Sequence, residues 1–398
     1  MAGKKSSKHI DSDPVDRDDL AILLQEALNK SSKDGTKVSY FLDEDDDPTE
    51  VTEWVSTGST LLDLAISNRK HGGMPVGKFV ELSGPEITGK SLFCAQMIAE
   101  TQRMGGLSVF FDSEYSVDKS FWEALGIDVK DVNYVPFITL EELFTKMELC
   151  IGAFRKADNK RLLTIFVDSI AQSSIESEME SEHGVTGYAT GKSMVIGKAL
   201  RKITGLISKQ RVLVVFTNQV RYNMNAGPFS EKWIVSGGKA LPHACSVRIR
   251  LANIGKLKNP TTKEVYGMEC QSQVIKTRFG PNFRIAQFNI FFDSGVQDFA
   301  SWVDFMKLHG IISGTGHGYT YKKVNGEEIK FKGGEFPNLM TGDPSLKEEM
   351  YNAICDKYIM QYKEKDSQVI EDVEKTKDEN DDITMNTVKD DKEAKSDE

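Results

Sequence analysis

Gly84-Pro85-Glu86-Ile87-Thr88-Gly89-Lys90-Ser91 fits the spacing G-x-x-x-x-G-K-[ST]. An apolar stretch, 78–83, precedes it, and 91–104 follows with helical periodicity. Glycines let consecutive backbone N–H groups turn inward around phosphates, and the N-terminus of the following helix adds partial positive charge. Lys90 can then reach β- and γ-phosphates, and the Ser91 hydroxyl can ligate Mg²⁺. The strand–loop–helix context favours a Mg-ATP site over a chance match in a surface loop.

Outward from the loop, short apolar runs alternate with helical patterns. Strands are expected at 107–111, 162–167 and 212–217, with helices at 140–154 and 194–208. Continuous apolar strands separated by helices indicate a parallel sheet covered on both faces. Three closely spaced strands, 247–252, 270–276 and 286–292, extend it. Beyond Asp293 the pattern becomes a helix at 299–308, a hairpin at 319–332 and a helix at 345–358. At the other end, Leu20, Leu23, Leu24 and Leu28 fall at helical spacing behind Asp18 and Asp19. A helix that short is marginal alone and is expected to dock on something. The division expected is an N-terminal arm (1–50), a nucleotide-binding core (51–293), a small C-terminal domain (294–362) and a disordered acidic tail (363–398).

Charge follows the same division. The chain of 398 residues has net charge −10, yet residues 1–50 carry −6 and 363–398 carry −7, leaving +3 on 51–362. Acidic ends around a mildly basic middle do not exclude nucleic acid. Such a tail serves solubility or competes with phosphate for basic surface. No apolar run approaches a membrane span, no secretory leader opens the chain, and the five scattered cysteines form neither a disulfide framework nor a zinc ribbon. These features point to a soluble protein of the reducing cytoplasm.

A nucleotide site needs a carboxylate at a neighbouring strand end for the metal, and Asp168 closes 163–168. It also needs a group to orient or deprotonate water. Phe110-Phe111-Asp112-Ser113-Glu114 offers two carboxylates, and composition does not choose between them. Asn218 and Gln219 end another strand. They lead into 220–236, which has no strong period, carries Arg221, Met224, Phe229 and Trp233, and closes on Gly237-Gly238. Basic residues interleaved with apolar ones suit a nucleic-acid strand. Glu182 to Lys192, with glycines around Tyr188, is a second such loop. On pattern alone, ordinary loops folded back on the protein fit at least as well.

Taken in order, Ser83-Gly84-Pro85-Glu86, Gly89-Lys90-Ser91, Asp112-Ser113-Glu114, Asp168-Ser169, Asn218-Gln219-Val220-Arg221 and Gly237-Gly238-Lys239-Ala240-Leu241 resemble the RecA recombinase family. Val55-Ser56-Thr57-Gly58-Ser59 and Leu62-Asp63 upstream, and 299–358 downstream, resemble its flanking segments, so the likeness covers about Val51 to Tyr358. It implies a P-loop NTPase α/β core: a mostly parallel twisted sheet with helices on both faces, a short N-terminal helix arm and a small α+β C-terminal domain. It implies ATP and Mg²⁺ as cofactors, single- and double-stranded DNA as ligands, a helical homo-oligomer, and single-strand-binding and mediator proteins as partners.

Position by position, the resemblance implies Glu114 as the water-activating carboxylate and Gln219 as the γ-phosphate sensor. Residues 84–91 would hold the phosphates, Ser91 and Asp168 the metal, and Asp118, Phe121 and Phe292 the adenine. Lys276 and Arg278 match a basic pair that reaches the neighbouring subunit's phosphate, with Arg278 where bacterial members carry lysine. Tyr188, Arg201, Arg221, Met224, Phe229, Gly237 and Gly238 match DNA contacts, and Met224 an apolar wedge between bases. The leucine-rich helix corresponds to a protomer-docking helix. His243 replaces a usual interface aromatic, the Tyr188 loop differs in sequence, and the long loop is one residue longer. These departures suggest a divergent, phage-type branch. A ring-forming RecA-like helicase is the nearest alternative, and its N-terminal domain has no counterpart in so short an arm. A non-catalytic ATP-binding filament protein is the other, and intact Lys90, Ser91, Asp168, Glu114 and Gln219 argue against it.

Overall fold

The computed structural model describes residues 17–32, 37–42, 50–157, 160–180, 188–207, 210–223, 233–315 and 317–362. The elements in chain order are α1 (Asp19–Lys30), β1 (Trp54–Val55), α2 (Thr60–Ser67), β2 (Met74–Pro75), β3 (Phe79–Gly84), α3 (Lys90–Arg103), β4 (Leu107–Asp112), α4 (Lys119–Ala124) and β5 (Val132–Pro136). There follow α5 (Leu140–Lys156), β6 (Leu163–Asp168), α6 (Glu176–Met179), α7 (Tyr188–Ile207), β7 (Val212–Tyr222), β8 (Trp233–Val235), α8 (Ala240–Ala244), β9 (Val247–Lys258), β10 (Val265–Thr277), β11 (Ile285–Phe291) and β12 (Gly295–Gln297). The last are α9 (Asp298–Leu308), β13 (Ile312–Thr315), β14 (Gly318–Lys322), β15 (Glu328–Phe331), α10 (Phe336–Gly342) and α11 (Pro344–Tyr358).

One ten-stranded sheet runs β12-β11-β10-β9-β3-β7-β6-β4-β5, with β8 paired to β7. Pairing is parallel from β5 through β4, β6, β7 and β3 to β9. It is antiparallel from β9 to β12, so the expected extension of the sheet reverses its sense there. The strands β3, β6 and β7 are buried almost throughout, which is why they read as continuous apolar runs. Alternate residues serve two cores. Val80, Leu82, Phe110 and Val215 pack with α2, α3 and α9, while Phe79, Val109, Ile165 and Phe216 pack with α5, α7 and α8.

Three segments differ from the sequence reading. Tyr188, expected in a loop, is the first residue of α7. The stretch 220–236 is structured at both ends, because β7 continues to Tyr222 and pairs with β8, Val220 opposite Val235. The 319–332 hairpin gains a third strand, β13, paired to β14.

Helix α1 is capped by Asp18, whose Oδ1 accepts from Leu20 N at 2.8 Å. Its Leu20, Leu23, Leu24 and Leu28 are 65, 64, 57 and 53% exposed, so no part of the described chain covers its apolar face. Complete burial of a leucine is worth about 1.5–3 kcal/mol, so covering each of these half-exposed ones is worth roughly half of that.

Two buried carboxylates fasten the start of the core. Asp63 accepts from Ser56 Oγ at 2.6 Å and from Thr57 N and Oγ1 at 2.8 and 2.7 Å. Asp298, on α9, accepts from Thr60 N and Oγ1 at 2.7 and 2.6 Å, and from Trp302 Nε1 at 3.0 Å. Burial pushes Asp63 up to about 8 and Asp298 to about 6. Asn68 reaches in the same direction, exchanging hydrogen bonds of 2.9 Å with the backbone of Met360 just beyond α11. A single cluster of buried side chains therefore joins Leu62, Phe93 and Phe288 to Trp302, Phe336 and Met350.

Candidate functional site

The phosphate loop joins β3 to α3 and is held from below. A Cβ on Gly84 would stand 2.6 Å from Leu251 O and 2.8 Å from Thr88 Oγ1, so only glycine fits against β9 there. Gly89, at φ +87°, caps α3, whose first residue is Lys90. Lys90 Nζ donates to Gly84 O at 3.1 Å and Pro85 O at 2.7 Å. Burial lowers its pKa, with Asp168, Glu114 and Glu86 acting in the opposite direction.

Parallel register brings the strand ends together. Asp112 is level with Asp168, and Gly84 with Gln219. Ser91 Oγ donates to Asp168 Oδ2 at 2.5 Å, and Thr217 Oγ1 donates to Asp168 Oδ1 at 2.6 Å. Thr217, buried beside the metal candidate, carries no periodic signal and was missed in the sequence. The Asp168–Ser169 peptide is cis. Ser113 Oγ accepts from Ser169 N at 3.0 Å and binds β4's end to β6's.

The geometry separates the two carboxylates that composition left open. Asp112 is buried, and its oxygens accept from Glu114 N (2.7 Å), Tyr115 N (3.0 Å), Ser116 N (3.0 Å) and Tyr134 Oη (3.1 Å). With its lone pairs so engaged it holds the turn. Glu114 stands at the exposed lip, and its Oε1 accepts only from Ser169 Oγ at 3.3 Å among the bonds described. Partial burial, then Asp168, raises its pKa above the ordinary glutamate value.

The adenine candidates lie on two segments that meet. Asp118 caps α4, accepting from Ser120 N at 2.9 Å and Phe121 N at 3.2 Å. Phe292 is 48% exposed at the end of β11. Leu125, at the end of α4, puts Cδ2 2.7 Å from where a Cβ of Gly295 would stand, closing the turn after Phe292 onto that helix.

Lys276 and Arg278 are elsewhere. Between Val274 and Lys276 the β10–β9 register skips one residue, so Lys276 opposes Arg248 and shares its face rather than the core face of Val274. Arg248 in turn opposes Glu81 on β3. Lys276 is thus roughly 10 Å along the sheet and roughly 10 Å across it from Gly84. Its Nζ donates to Pro242 O at 3.0 Å and His243 O at 3.2 Å, at the end of α8. Burial, then Arg278, lowers its pKa. Arg278 is exposed.

Of the nucleic-acid candidates, Arg201 lies on α7 and borders a groove with Ser193, Met194, Lys198 and Ala240. Gly237 and Gly238, at φ +84° and +72°, turn against the same helix. A Cβ on the first would meet Ile196 Cδ1 at 3.0 Å, and on the second Ser193 Oγ at 2.9 Å. Arg221 is exposed on β7 beside the Tyr222–Trp233 edge-to-face pair. Met224 and Phe229 lie outside the described residues.

Comparison with known proteins places residues 22–297 in the RecA N-terminal domain family. The chain is 32% identical over 302 residues to Protein RecA of Leptospira biflexa, covering 76% of this chain and 74% of that one. It is 33% identical over 277 residues to Protein RecA of Rippkaea orientalis, covering 70% and 75%. To that of Thioalkalivibrio sulfidiphilus it is 30% identical over 307 residues, covering 77% and 85%.

Proposed function

The chain belongs to the RecA family, and from that premise we infer an ATP-dependent DNA recombinase that assembles as a helical filament on single-stranded DNA, hydrolyses ATP in a DNA-dependent way and promotes homologous pairing and strand exchange. One observation carries the reading. Lys90, Ser91, Asp168 and Glu114 converge from α3, β6 and the end of β4 on one mouth, next to Gln219 at the root of the long loop.

The donor set fits Mg-ATP. The loop amides and Lys90 would hold phosphates, and Ser91 and Asp168 would hold the metal, which when bound neutralises charge on the phosphates. Glu114 would accept a proton from water, its raised pKa making it the better base. Gln219 would report the phosphate to the β7–β8 ribbon. Lys276 and Arg278 sit too far from their own loop to act there, which supports a role toward a neighbouring protomer and hence an active site completed only in the assembly. A head-to-tail interface of that kind gives an open helix when its rotation does not close. Arg201, Arg221 and the Gly237-Gly238 amides would contact the DNA backbone. Its setting would be the cytoplasm of a bacterium or phage-infected host.

Electron microscopy of the protein with single-stranded DNA and a non-hydrolysable ATP analogue tests this. Open helical filaments are expected, together with phosphate release stimulated by DNA. Closed rings would favour the helicase reading.

A further inference from the structure

Strand β3 is buried along its whole length, yet carries a carboxylate at its centre, Glu81, with 0% exposure. A buried carboxylate is tolerated only when paired and hydrogen-bonded. Glu81 is paired in both directions across the sheet. Its Oε1 accepts from Asn218 Nδ2 on β7 at 2.9 Å, and its Oε2 accepts from Arg248 Nε on β9 at 2.5 Å. The row continues at both ends. Asn218 Nδ2 also donates to Ser236 O at 3.1 Å, where β8 meets Gly237. Arg248 opposes Lys276, which the skipped residue in β10 has turned onto the same face.

Five residues, four on neighbouring strands and Ser236 just past β8, thus form one polar line: Ser236, Asn218, Glu81, Arg248, Lys276. One end is the root of the long loop and the neighbour of Gln219. The other is the basic pair. The phosphate loop begins three residues further along β3.

The line is not fully satisfied. Asn218 is buried and its Oδ1 has no hydrogen-bond partner among the described residues, while both uses of its Nδ2 lie on the line. A buried acceptor without a partner asks for an explanation, and a second arrangement of the amide or of the turn at Ser236 would supply one. A shift of Ser236 or a turn of the amide changes what Glu81 receives from β7, and so the hold of Glu81 on Arg248.

We propose that Glu81 is a positioning residue that couples the long loop and nucleotide sensor of a protomer to the Lys276–Arg278 pair it presents to the next one. This rests on the reading of the chain as a DNA-stimulated ATPase with a shared site. Coupling between two ends is established by measuring one end while the link is altered, not by proximity.

The test uses full-length protein, a single-stranded oligothymidine and ATP. Glu81→Gln keeps the shape and an acceptor for Asn218 but removes the charge that holds Arg248. Affinity for a fluorescent ADP and DNA-free phosphate release are expected to stay near wild type in the folded protein, while Tm falls with the loss of a buried ion pair. DNA-stimulated kcat is expected to fall at least tenfold at unchanged KM for ATP, with loss of cooperativity in ATP. Arg248→Met is expected to behave like Glu81→Gln, and Arg248→Lys to recover most of the stimulation.

Wild-type stimulation in a folded Glu81→Gln protein would overturn the proposal. So would a loss of ADP affinity and of DNA-free phosphate release in proportion to the loss of stimulation, which would make the pair merely structural. If Glu81→Gln does not fold, the Arg248 variants decide, and wild-type stimulation in Arg248→Met overturns it. Wild-type protein without any DNA stimulation refutes the function reading first and takes the coupling down with it.

Discussion

Replacing Glu114 by glutamine isolates proton acceptance from everything else that residue does. Glutamine keeps the length, and its Oε1 can still accept from Ser169 Oγ, the bond among the described residues that orients the side chain. The turn is unaffected, because Asp112 and not Glu114 ties it together. What disappears is the base. Loss of a positioned general base costs about 10²–10⁴-fold in rate, or about 2.7–5.4 kcal/mol at 1.36 kcal/mol per factor of ten. ATP binding and filament assembly are expected to survive, since Lys90, Ser91 and Asp168 remain. The pH profile supplies a second signature. A base must be deprotonated to act, and partial burial together with Asp168 holds Glu114 above its ordinary value. Wild-type hydrolysis therefore falls on acidification through that raised pKa, and the residual activity of Glu114→Gln lacks this acid limb. The assay is steady-state phosphate release with saturating single-stranded DNA across pH, with nucleotide affinity and sedimentation as controls. Hydrolysis at the wild-type rate, or an unchanged acid limb in the variant, would refute the assignment.

Three further outcomes follow. Mixing Lys276→Ala with Glu114→Gln protein should recover some DNA-stimulated ATPase, because mixed filaments contain interfaces with both residues intact; none at any ratio, with co-assembly confirmed, would rule out a shared site. Deleting residues 1–34 removes the exposed leucine face of α1 and should leave a folded protein without long filaments, read by sedimentation, whereas undiminished polymer would show that α1 does not dock protomers. Asp63 has a folded pKa of about 8 against 3.8 for an ordinary aspartate, so the folded state holds its proton more tightly and stability falls as pH rises between those values. Asp63→Asn should flatten that part of the Tm-against-pH curve, and an equal slope in both proteins would show that Asp63 does not titrate there.

The parallel half of the sheet was legible because β3, β6 and β7 are buried on both faces and therefore spell continuous apolar runs. The edge strand β5, Val-Asn-Tyr-Val-Pro, is half exposed and left no such trace. Helix α2 has only two turns, nearly all of it buried, so no amphipathic period marks it. The phosphate loop was plain from spacing alone, but the choice between Asp112 and Glu114 was not. It depends on which carboxylate the following amides bind, a matter of turn geometry. Glu81 was the overlooked signal: a charge inside Phe79-Val80-Glu81-Leu82-Ser83 is anomalous in a buried strand. The residue skipped in β10 had no sequence mark, because either facing of Lys276 fits a strand of mixed polarity.

The hydrophobic cluster that runs from Leu62 through Phe288 to Trp302 and Met350 bears on how such a chain can be divided and diversified. The segment after Gln297 looks like an appendage, and the match to the N-terminal domain family ends there. Yet α9 and α11 form part of the wall of the nucleotide core, tied at Thr60 and Asn68. A cut at that boundary would strip one face of the sheet instead of releasing a module, and the truncated chain would carry a bare apolar surface prone to aggregation. Mutational drift is channelled in the same way. The outer ribbon β13–β15 is free to change its loops and charges, while the two helices beneath it must evolve in step with residues more than two hundred positions earlier.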